Sequence, residues 1–288
     1  TGFNGGAQRI AKLYLNDGNG VFTEDLTTSF TGINDGSVIF VDVNGNGFED
    51  VLINGKIGTF NALTKLYLND GNGSFTEDTS DPFQFSLLIQ MILGSVATAD
   101  VDNDGDQDVF FTGVNTIGTV ASISSYLYEN DGTGKFTLTT NLLESVISSS
   151  VSFSDLDNNG SQDLLIVGLN DVNTIVGMHV AELYINDGAG SFNEVSGLPF
   201  EGVYFGSVVT SDIDGDGDQD VLITGENSSN QRVSKLYRNI SNRVTWLGNL
   251  STDWNNTNNW EGNILPNSTL EAFISSSSTN QPVIQQNE

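Results

Sequence analysis

The chain has 288 residues, of which 37% are hydrophobic, and a formal charge of -28 at pH 7. This length and apolar content suffice for one large all-β domain or two smaller domains, so the chain is not a disordered acidic tail. With only 9 Lys and Arg residues, it is predicted to bind neither nucleic acid nor anionic membrane surfaces. The absence of cysteine excludes disulfides and thiolate metal sites and leaves the redox compartment open.

The chain begins within a repeat, because TGFNGG at its start takes the place that TGVNTI holds from Thr112. We therefore expect it to be a fragment of a longer protein, and a missing signal peptide then gives no information about export. Since no run of 18 apolar residues occurs, no membrane insertion is predicted.

Two sequence elements alternate along the chain and define one repeated unit. The first is an acidic stretch that runs into an apolar segment; its period is 55 to 58 residues, and its copies begin at Asp42, Asp100, Asp155 and Asp212. The second element reads KLYLNDGNG in its first two copies. Its five copies begin at Lys12, Lys65, Tyr126, Glu182 and, in a decayed form, Lys235.

Each repeat is predicted to contain four short strands. Segments such as GSVATADV and DVFFTGV flank the acidic stretch, KLYLND alternates as a third strand, and SFTED follows the NDGNG turn. Four antiparallel strands per period are typical of a propeller blade, so we predict an all-β fold, a β-propeller of four-stranded antiparallel blades. The expected boundaries are a partial blade at 1–30, blades at about 31–85, 86–146, 147–200 and 201–243, and a C-terminal β-rich module or linker at 244–288.

The acidic stretches have the composition of calcium loops, Asp-x-Asp/Asn-x-Asp/Asn-Gly-x-x-Asp. Like charges on alternate positions repel unless a cation lies among them. Calcium takes six to eight hard oxygen ligands, which side chains at positions 1, 3, 5 and 9 and the carbonyl at position 7 would supply. A polar turn without metal is the alternative. The predicted ligands, for up to four structural Ca2+ ions, are Asp42, Asn44, Asn46, Phe48, Asp50, Asp100, Asp102, Asp104, Asp106, Asp108, Asp155, Asp157, Asn159, Ser161, Asp163, Asp212, Asp214, Asp216, Asp218 and Asp220.

The loops differ in charge, and the loop that begins at Asp42 has the fewest aspartates at ligand positions. We therefore predict that it binds calcium most weakly. For the NDGxG turns, hairpin formation is favoured over metal ligation; these turns contain Asp17, Asp70, Asp131 and Asp187.

The repeats resemble the FG-GAP and VCBS family, whose calcium-binding blades occur in the integrin α-subunit propeller and in many bacterial surface proteins. Phe205-Gly206 keeps the name-giving dipeptide, and its counterparts are expected at Asp35-Gly36, Leu93-Gly94 and Ser149-Ser150. The resemblance covers roughly residues 1–243. Since family propellers usually have seven blades, it implies either a piece of a larger ring, which we favour, or a small ring closed by its terminal half-blades; the chain itself would supply about four full blades and a partial one.

Blade topology places the acidic loops and NDGxG turns on one face and the most variable segments on the other. A protein or carbohydrate ligand is expected at the variable face. Its candidate aromatic residues are Phe83, Phe85, Phe200 and Tyr204, although packing between blades is the favoured explanation for most of them. The single histidine, His179, is expected to be a half-buried strand residue rather than a base.

The C-terminal segment carries all three tryptophans, Trp246, Trp254 and Trp260. It resembles the start of a β-rich module of bacterial surface proteins exported by the type IX route, with a Ser/Asn-rich linker as the alternative. The sequence as a whole therefore favours a secreted or surface-anchored bacterial binding or adhesion module and no enzyme. The alternatives are a carbohydrate-active enzyme or its accessory domain, which an acid pair or a Tyr, Arg and His cluster at the variable face would indicate, and a passive spacer.

Overall fold

The computed structural model describes residues 1–6, 8–58, 61–80, 82–83, 91–115, 122–170, 178–240, 243–260, 265–266, 271–274 and 278–282. Within these ranges the regular structure is β-strand, apart from one 3-10 turn at Thr257–Asn259. No helix among them is long and apolar enough to cross a membrane. The all-β prediction is confirmed.

The chain first forms two small antiparallel pairs and then a series of blade-like sheets. The pairs are β1 (Gly2–Phe3) with β2 (Arg9–Ile10) and β3 (Tyr14–Asn16) with β4 (Phe22–Glu24). The first blade contains β5 (Asn34–Val41), β6 (Asp50–Lys56), β7 (Ala62–Asn69) and β8 (Phe75–Glu77). The second contains β9 (Met91–Ile92), which pairs with β11, and β10 (Val96–Ala99), β11 (Asp108–Asn115), β12 (Ser122–Asn130) and β13 (Phe136–Leu138).

Two further blades follow. The third contains β14 (Ile147–Ser154), β15 (Asp163–Leu169), β16 (His179–Asn186) and β17 (Phe192–Glu194). The fourth has three strands within the described residues, β18 (Tyr204–Ser211), β19 (Asp220–Glu226) and β20 (Arg232–Tyr237). Its sequence lacks the NDGxG turn that starts a fourth strand in the other blades. The first three blades contain the four antiparallel strands predicted for the repeat, so that prediction is confirmed.

In each of the first three blades the second strand lies between apolar layers on both of its faces, whereas in the fourth blade Leu222 is only half-buried. In β11, Val109 and Phe111 pack with Leu52 of the preceding blade. Phe110, between them in sequence, packs with Leu164 of the following blade. Burial on both faces explains why an unbroken apolar run, and not an alternating pattern, follows each acidic loop.

Backbone hydrogen bonds join the starts of the first strands in successive blades. The Leu93 N–H donates to the Asp35 carbonyl at 3.2 Å, and the Ser148 N–H donates to the Leu93 carbonyl at 2.7 Å. These three residues and Phe205 have φ between 46° and 58°, a region that is uncommon for residues other than glycine. A residue in the left-handed conformation thus lies near the start of the first strand of each blade.

The third-blade counterpart of Phe205-Gly206 is Ser148-Ser149, since Ser148 holds the positive φ. The expected pair, Ser149-Ser150, is one residue too far along the chain. In the other blades a glycine follows the left-handed residue because the second strand comes very close. A Cβ on Gly94 would lie 1.7 Å from the carbonyl oxygen of Thr112.

Two compact units divide the chain. One comprises Thr1–Thr210 and Val221–Tyr237, and the other comprises Ser211–Asp220 and Arg238–Glu288. In the second unit, β21 (Arg243–Trp246) pairs in parallel with β22 (Glu271–Ile274).

A tryptophan cluster forms the apolar core of the C-terminal segment. Trp246 and Trp260 are each 1% exposed, and Trp254 packs against both. The indole N–H of Trp260 donates to the Trp254 carbonyl at 2.8 Å, so the buried indole is paired. Residues 246–260 therefore form a small folded core rather than a linker.

Replacing Gly94 by Ala tests the close approach of the first and second strands. The added methyl group would overlap the Thr112 carbonyl, and we expect the free energy of unfolding to fall by about 1–3 kcal/mol, as for overpacked cores. Gly5→Ala is the matched control, because a Cβ there meets no atom within 4 Å. Equal urea midpoints for the two variants would show that the strands separate without penalty.

Candidate metal sites

Each acidic stretch forms a tight turn between the first and second strands of its blade. In the second blade, Oδ1 of Asp100 accepts the Asp104 N–H at 3.1 Å and Oδ2 accepts the Gly105 N–H at 3.0 Å. The same pair of bonds recurs at Asp42, Asp155 and Asp212. The first aspartate therefore shapes its loop through backbone hydrogen bonds.

The ninth residue of each stretch is a buried carboxylate that joins two turns. Asp108 is 1% exposed; its Oδ2 accepts the Val101 N–H and its Oδ1 accepts the Asn130 N–H, both at 2.8 Å. Val101 belongs to the acidic loop, whereas Asn130 precedes the NDGxG turn. The same two bonds recur at Asp50, Asp163 and Asp220.

In the second and third blades, the asparagine that opens the NDGxG turn extends this network into the preceding blade. The side-chain amide of buried Asn186 donates to the Gln162 carbonyl of its own loop at 3.1 Å and to the Val101 carbonyl of the previous loop at 2.7 Å. Asn130 makes the corresponding pair of bonds one blade earlier. Sequence analysis missed this role, although the asparagine stands in every copy of the motif.

Three acidic loops bring three carboxylates together. In each, oxygens of positions 1, 3 and 9 lie within 4.8 Å of one another, in the groups Asp100/Asp102/Asp108, Asp155/Asp157/Asp163 and Asp212/Asp214/Asp220. Position 5 is not in these groups; Asp104, for example, accepts the N–H of Asp106 at 2.9 Å. Hard oxygens at this separation, each with lone pairs left beside its hydrogen bond, fit a calcium ion.

The first loop has an amide where the others have a third carboxylate. Asn44 donates from Nδ2 to Oδ2 of Asp50 at 3.5 Å. At the ligand positions of this loop, Asp42 and Asp50 are the carboxylates. The amide donor thus offsets part of the negative charge that, in the other three loops, would favour a bound cation.

The fourth loop carries a cation of its own. The guanidinium of Arg238 forms an ion pair with Asp214, the third residue of the loop. By charge alone this loop ranks with the loop at Asp100. Because Arg238 already offsets Asp214, we expect the loop at Asp100 to bind calcium more tightly than the fourth.

Burial raises the pKa of Asp108 to about 7, although hydrogen bonds from Val101 and Asn130 oppose the shift. Burial also raises the pKa of Asp50 and Asp163. A cation beside such a carboxylate favours its charged form. The ninth position is therefore where a bound calcium ion would remove the largest electrostatic penalty.

Comparison with known proteins agrees with this geometry. A family model described as an FG-GAP-like repeat matches residues 57–111. The chain contains an FG-GAP-like repeat. The matched segment runs from the end of β6 into β11 and includes the acidic loop at Asp100. No curated protein matches the chain.

Among solved structures, an Agrocybe aegerita lectin has a similar fold, with a TM-score of 0.50 and 17% sequence identity. Its structure was described as the basis of specific recognition of non-reducing terminal N-acetylglucosamine. The match covers 79% of this chain and 60% of the lectin chain, so the chain spans less than two thirds of that structure. At this identity the likeness concerns the fold alone.

The NDGxG turns are closed by their own aspartates. Oδ1 of Asp187 accepts the Ala189 N–H at 2.9 Å and the Ser191 N–H at 3.2 Å. Hydrogen bonds within the turns lower the pKa of the aspartate in each copy: Asp17, Asp70, Asp131 and Asp187. This is the hairpin role favoured by the sequence.

Two of the candidate aromatic residues pack between blades. Phe83 is 2% exposed and stacks on Phe136 with 4.1 Å between the ring centroids. Half-buried Phe200 meets Tyr237 with 5.0 Å between the ring centroids. Phe85 lies outside the described residues. Tyr204 is half-buried and packs against an apolar cluster that includes Ile92 and Leu169, and it lies at the end of β18 that is farther from the acidic loop.

An aromatic cluster of three residues joins the third and fourth blades at the ends of their strands that are farther from the acidic loops. The ring of half-buried His179 meets Tyr204 edge-on at 5.1 Å, and Tyr204 lies 4.7 Å from the ring of Phe205, which is 74% exposed. Tyr204 donates its hydroxyl to Glu226 at 3.0 Å. Sequence analysis missed the exposed ring of Phe205, because there the Phe-Gly dipeptide served only to mark the repeat.

Two substitutions separate the hydrogen-bonding role of the loop from metal binding. Asp108→Ala removes the acceptor of two backbone N–H groups, so we expect a loss of about 2–4 kcal/mol of unfolding free energy even in EDTA. Asp102→Ala leaves those bonds intact and should reduce only the calcium-dependent rise in Tm. Thermal unfolding with EDTA and with calcium measures both effects. An equal loss for both variants in EDTA would contradict the distinction.

Removing Arg238 tests the built-in cation of the fourth loop. In a background in which Asp100→Ala and Asp155→Ala disable the second and third loops, Arg238→Ala should tighten calcium binding by roughly 1.5- to 5-fold, the range of a partly exposed ion pair. Calorimetric titration gives the dissociation constant. Arg232→Ala, which removes an exposed arginine from β20, is the control and should leave it unchanged. Weaker calcium binding by the Arg238→Ala variant would contradict the prediction that Arg238 competes with calcium for Asp214.

Proposed function

We propose that the chain is a calcium-stabilised extracellular binding module that recognises a glycan through the face opposite its acidic loops. The observation that carries the proposal is the recurrence of three convergent carboxylates at the same place in the second, third and fourth blades. A protein secreted by a bacterium or held at its surface meets calcium at the concentrations that such loops require, roughly 0.1–1 mM.

The proposed role of calcium is structural. In the ninth position both carboxylate oxygens already accept backbone N–H groups, so an ion there would strengthen a junction between two turns. At about ten times its dissociation constant, each ion would add about 1.4 kcal/mol of stability. Several such terms are large beside a total stability of about 5–15 kcal/mol.

A glycan is the favoured ligand class because of two supports. One is the fold likeness to a lectin described for recognition of non-reducing terminal N-acetylglucosamine. The other is the exposed aromatic surface at the variable face, since sugar rings pack their apolar sides on such rings.

Binding is favoured over catalysis at the aromatic cluster. Within it the hydroxyl of Tyr204 donates to Glu226, and His179 contacts the Tyr204 ring edge-on. The hydrogen bond to Glu226 raises the pKa of Tyr204, which disfavours the phenolate that a tyrosine base would need.

Glycan binding by the whole chain in calcium tests the proposal. On an array of neutral and acidic glycans we expect binding to neutral glycans in 5 mM calcium (about ten times the dissociation constants assumed above) and weaker binding in EDTA, because calcium holds the blades in place. Thermal unfolding under both conditions is the companion measurement. Absence of binding to every glycan in calcium, with the chain folded, would contradict the proposal.

A further inference from the structure

The aromatic cluster at the variable face has an exposed ring that the fold itself does not need. Phe205 has a φ of 48°, which costs a residue other than glycine on the order of 1–3 kcal/mol. Asp35, Leu93 and Ser148 adopt the same conformation at the same position in the other blades. A carboxylate, an isobutyl group and a hydroxymethyl group stand at this position in the other blades, so the left-handed backbone does not require the phenyl ring of Phe205.

The surroundings of Phe205 are preformed. The Gly202 backbone lies against His179, since a Cβ on Gly202 would be 2.0 Å from the His179 carbonyl oxygen. His179 in turn supports Tyr204 edge-on, and the rings of Tyr204 and Phe205 are neighbours at 4.7 Å. The exposed ring thus sits on a rigid base, which lowers the entropy lost when a ligand binds.

A fixed hydrogen-bond acceptor lies beside the rings. Oε1 of Glu226 accepts the Tyr204 hydroxyl at 3.0 Å, which orients the carboxylate. Its Oε2 has no partner among the residues that the structure describes. An apolar platform next to an oriented carboxylate matches a sugar ring, whose C–H face stacks while its hydroxyl or amide N–H groups donate.

The negative charge of the chain limits which class of sugar can bind. A formal charge of -28 and the carboxylate of Glu226 repel uronate and sulfate groups. Met178, which is 71% exposed and precedes His179, adds apolar surface at the same edge. These features favour an uncharged sugar that carries hydrogen-bond donors.

The geometry points to His179, Tyr204, Phe205 and Glu226 as a subsite for an uncharged glycan, which stacks on Phe205 and donates to Glu226. This assignment rests on the proposed glycan-binding function and adds the residues and the sugar class. Phe205 and Glu226 touch the sugar, and His179 and Tyr204 position them.

The test uses the whole chain in calcium and surface plasmon resonance on three immobilised probes. The probes are a β-linked N-acetylglucosamine trimer on a carrier protein, a galacturonate trimer on the same carrier, and the bare carrier. The variants are Phe205→Ala, Phe205→Trp and Glu226→Gln. Phe40→Ala is the control, because Phe40 is an exposed ring (56%) on the first strand of another blade.

We expect the parent to bind the N-acetylglucosamine probe alone. Phe205→Ala should weaken binding at least tenfold and Glu226→Gln at least threefold, whereas Phe205→Trp and Phe40→Ala should retain it. If the parent binds and Phe205→Ala binds equally well with an unchanged Tm, the site assignment is overturned while the proposed function stands. Binding of the parent to neither glycan probe overturns this subsite, and so does equal binding to the bare carrier, whereas the proposed function fails only if no glycan of the array binds.

Discussion

The buried carboxylate at the ninth position of each acidic loop is the interaction on which the rest of the structure depends. It joins the turn between the first and second strands to the turn between the third and fourth, as Asp108 does through Val101 and Asn130. Both turns of a blade are thereby fixed at one end of the sheet. A buried charge is expensive unless it is fully hydrogen-bonded or paired, so this junction also creates the demand for a cation.

The acidic loops therefore combine two functions that the sequence presents as one. The first and ninth aspartates already hold the loop through backbone hydrogen bonds, and the convergence of positions 1, 3 and 9 adds a place for metal. Loops of the same pattern then differ by what lies beside them, an amide from Asn44 in one and a guanidinium from Arg238 in another. The groups that lie beside each loop, more than the number of its aspartates, determine how strongly the charge of that loop favours a bound cation.

Sequence periodicity was sufficient to predict the strands and their order, because every blade repeats the same turn chemistry and the same apolar run. It placed the third-blade dipeptide one residue away from Ser148-Ser149, since only backbone dihedral angles identify the left-handed residue. It could not predict the contacts of Asn186 with two loops or of Arg238 with Asp214, which join residues distant in sequence. Nor could it distinguish the exposed ring of Phe205 from the buried ring of Phe83, because both look apolar until neighbouring blades cover one of them.

The double contact of Asn186 has a consequence for how such a chain can grow. The amide closes its own acidic loop and also satisfies the Val101 carbonyl one blade back. Asn130 does the same for the Val43 carbonyl, so the first and second loops are each completed by the blade that follows. Duplication or loss of one whole period keeps every donor matched to an acceptor, whatever the point within the period at which the break occurs. A change by part of a period would leave an amide or a carbonyl buried without a partner. The hydrogen-bond network thus makes the full repeat the unit of evolutionary insertion and deletion.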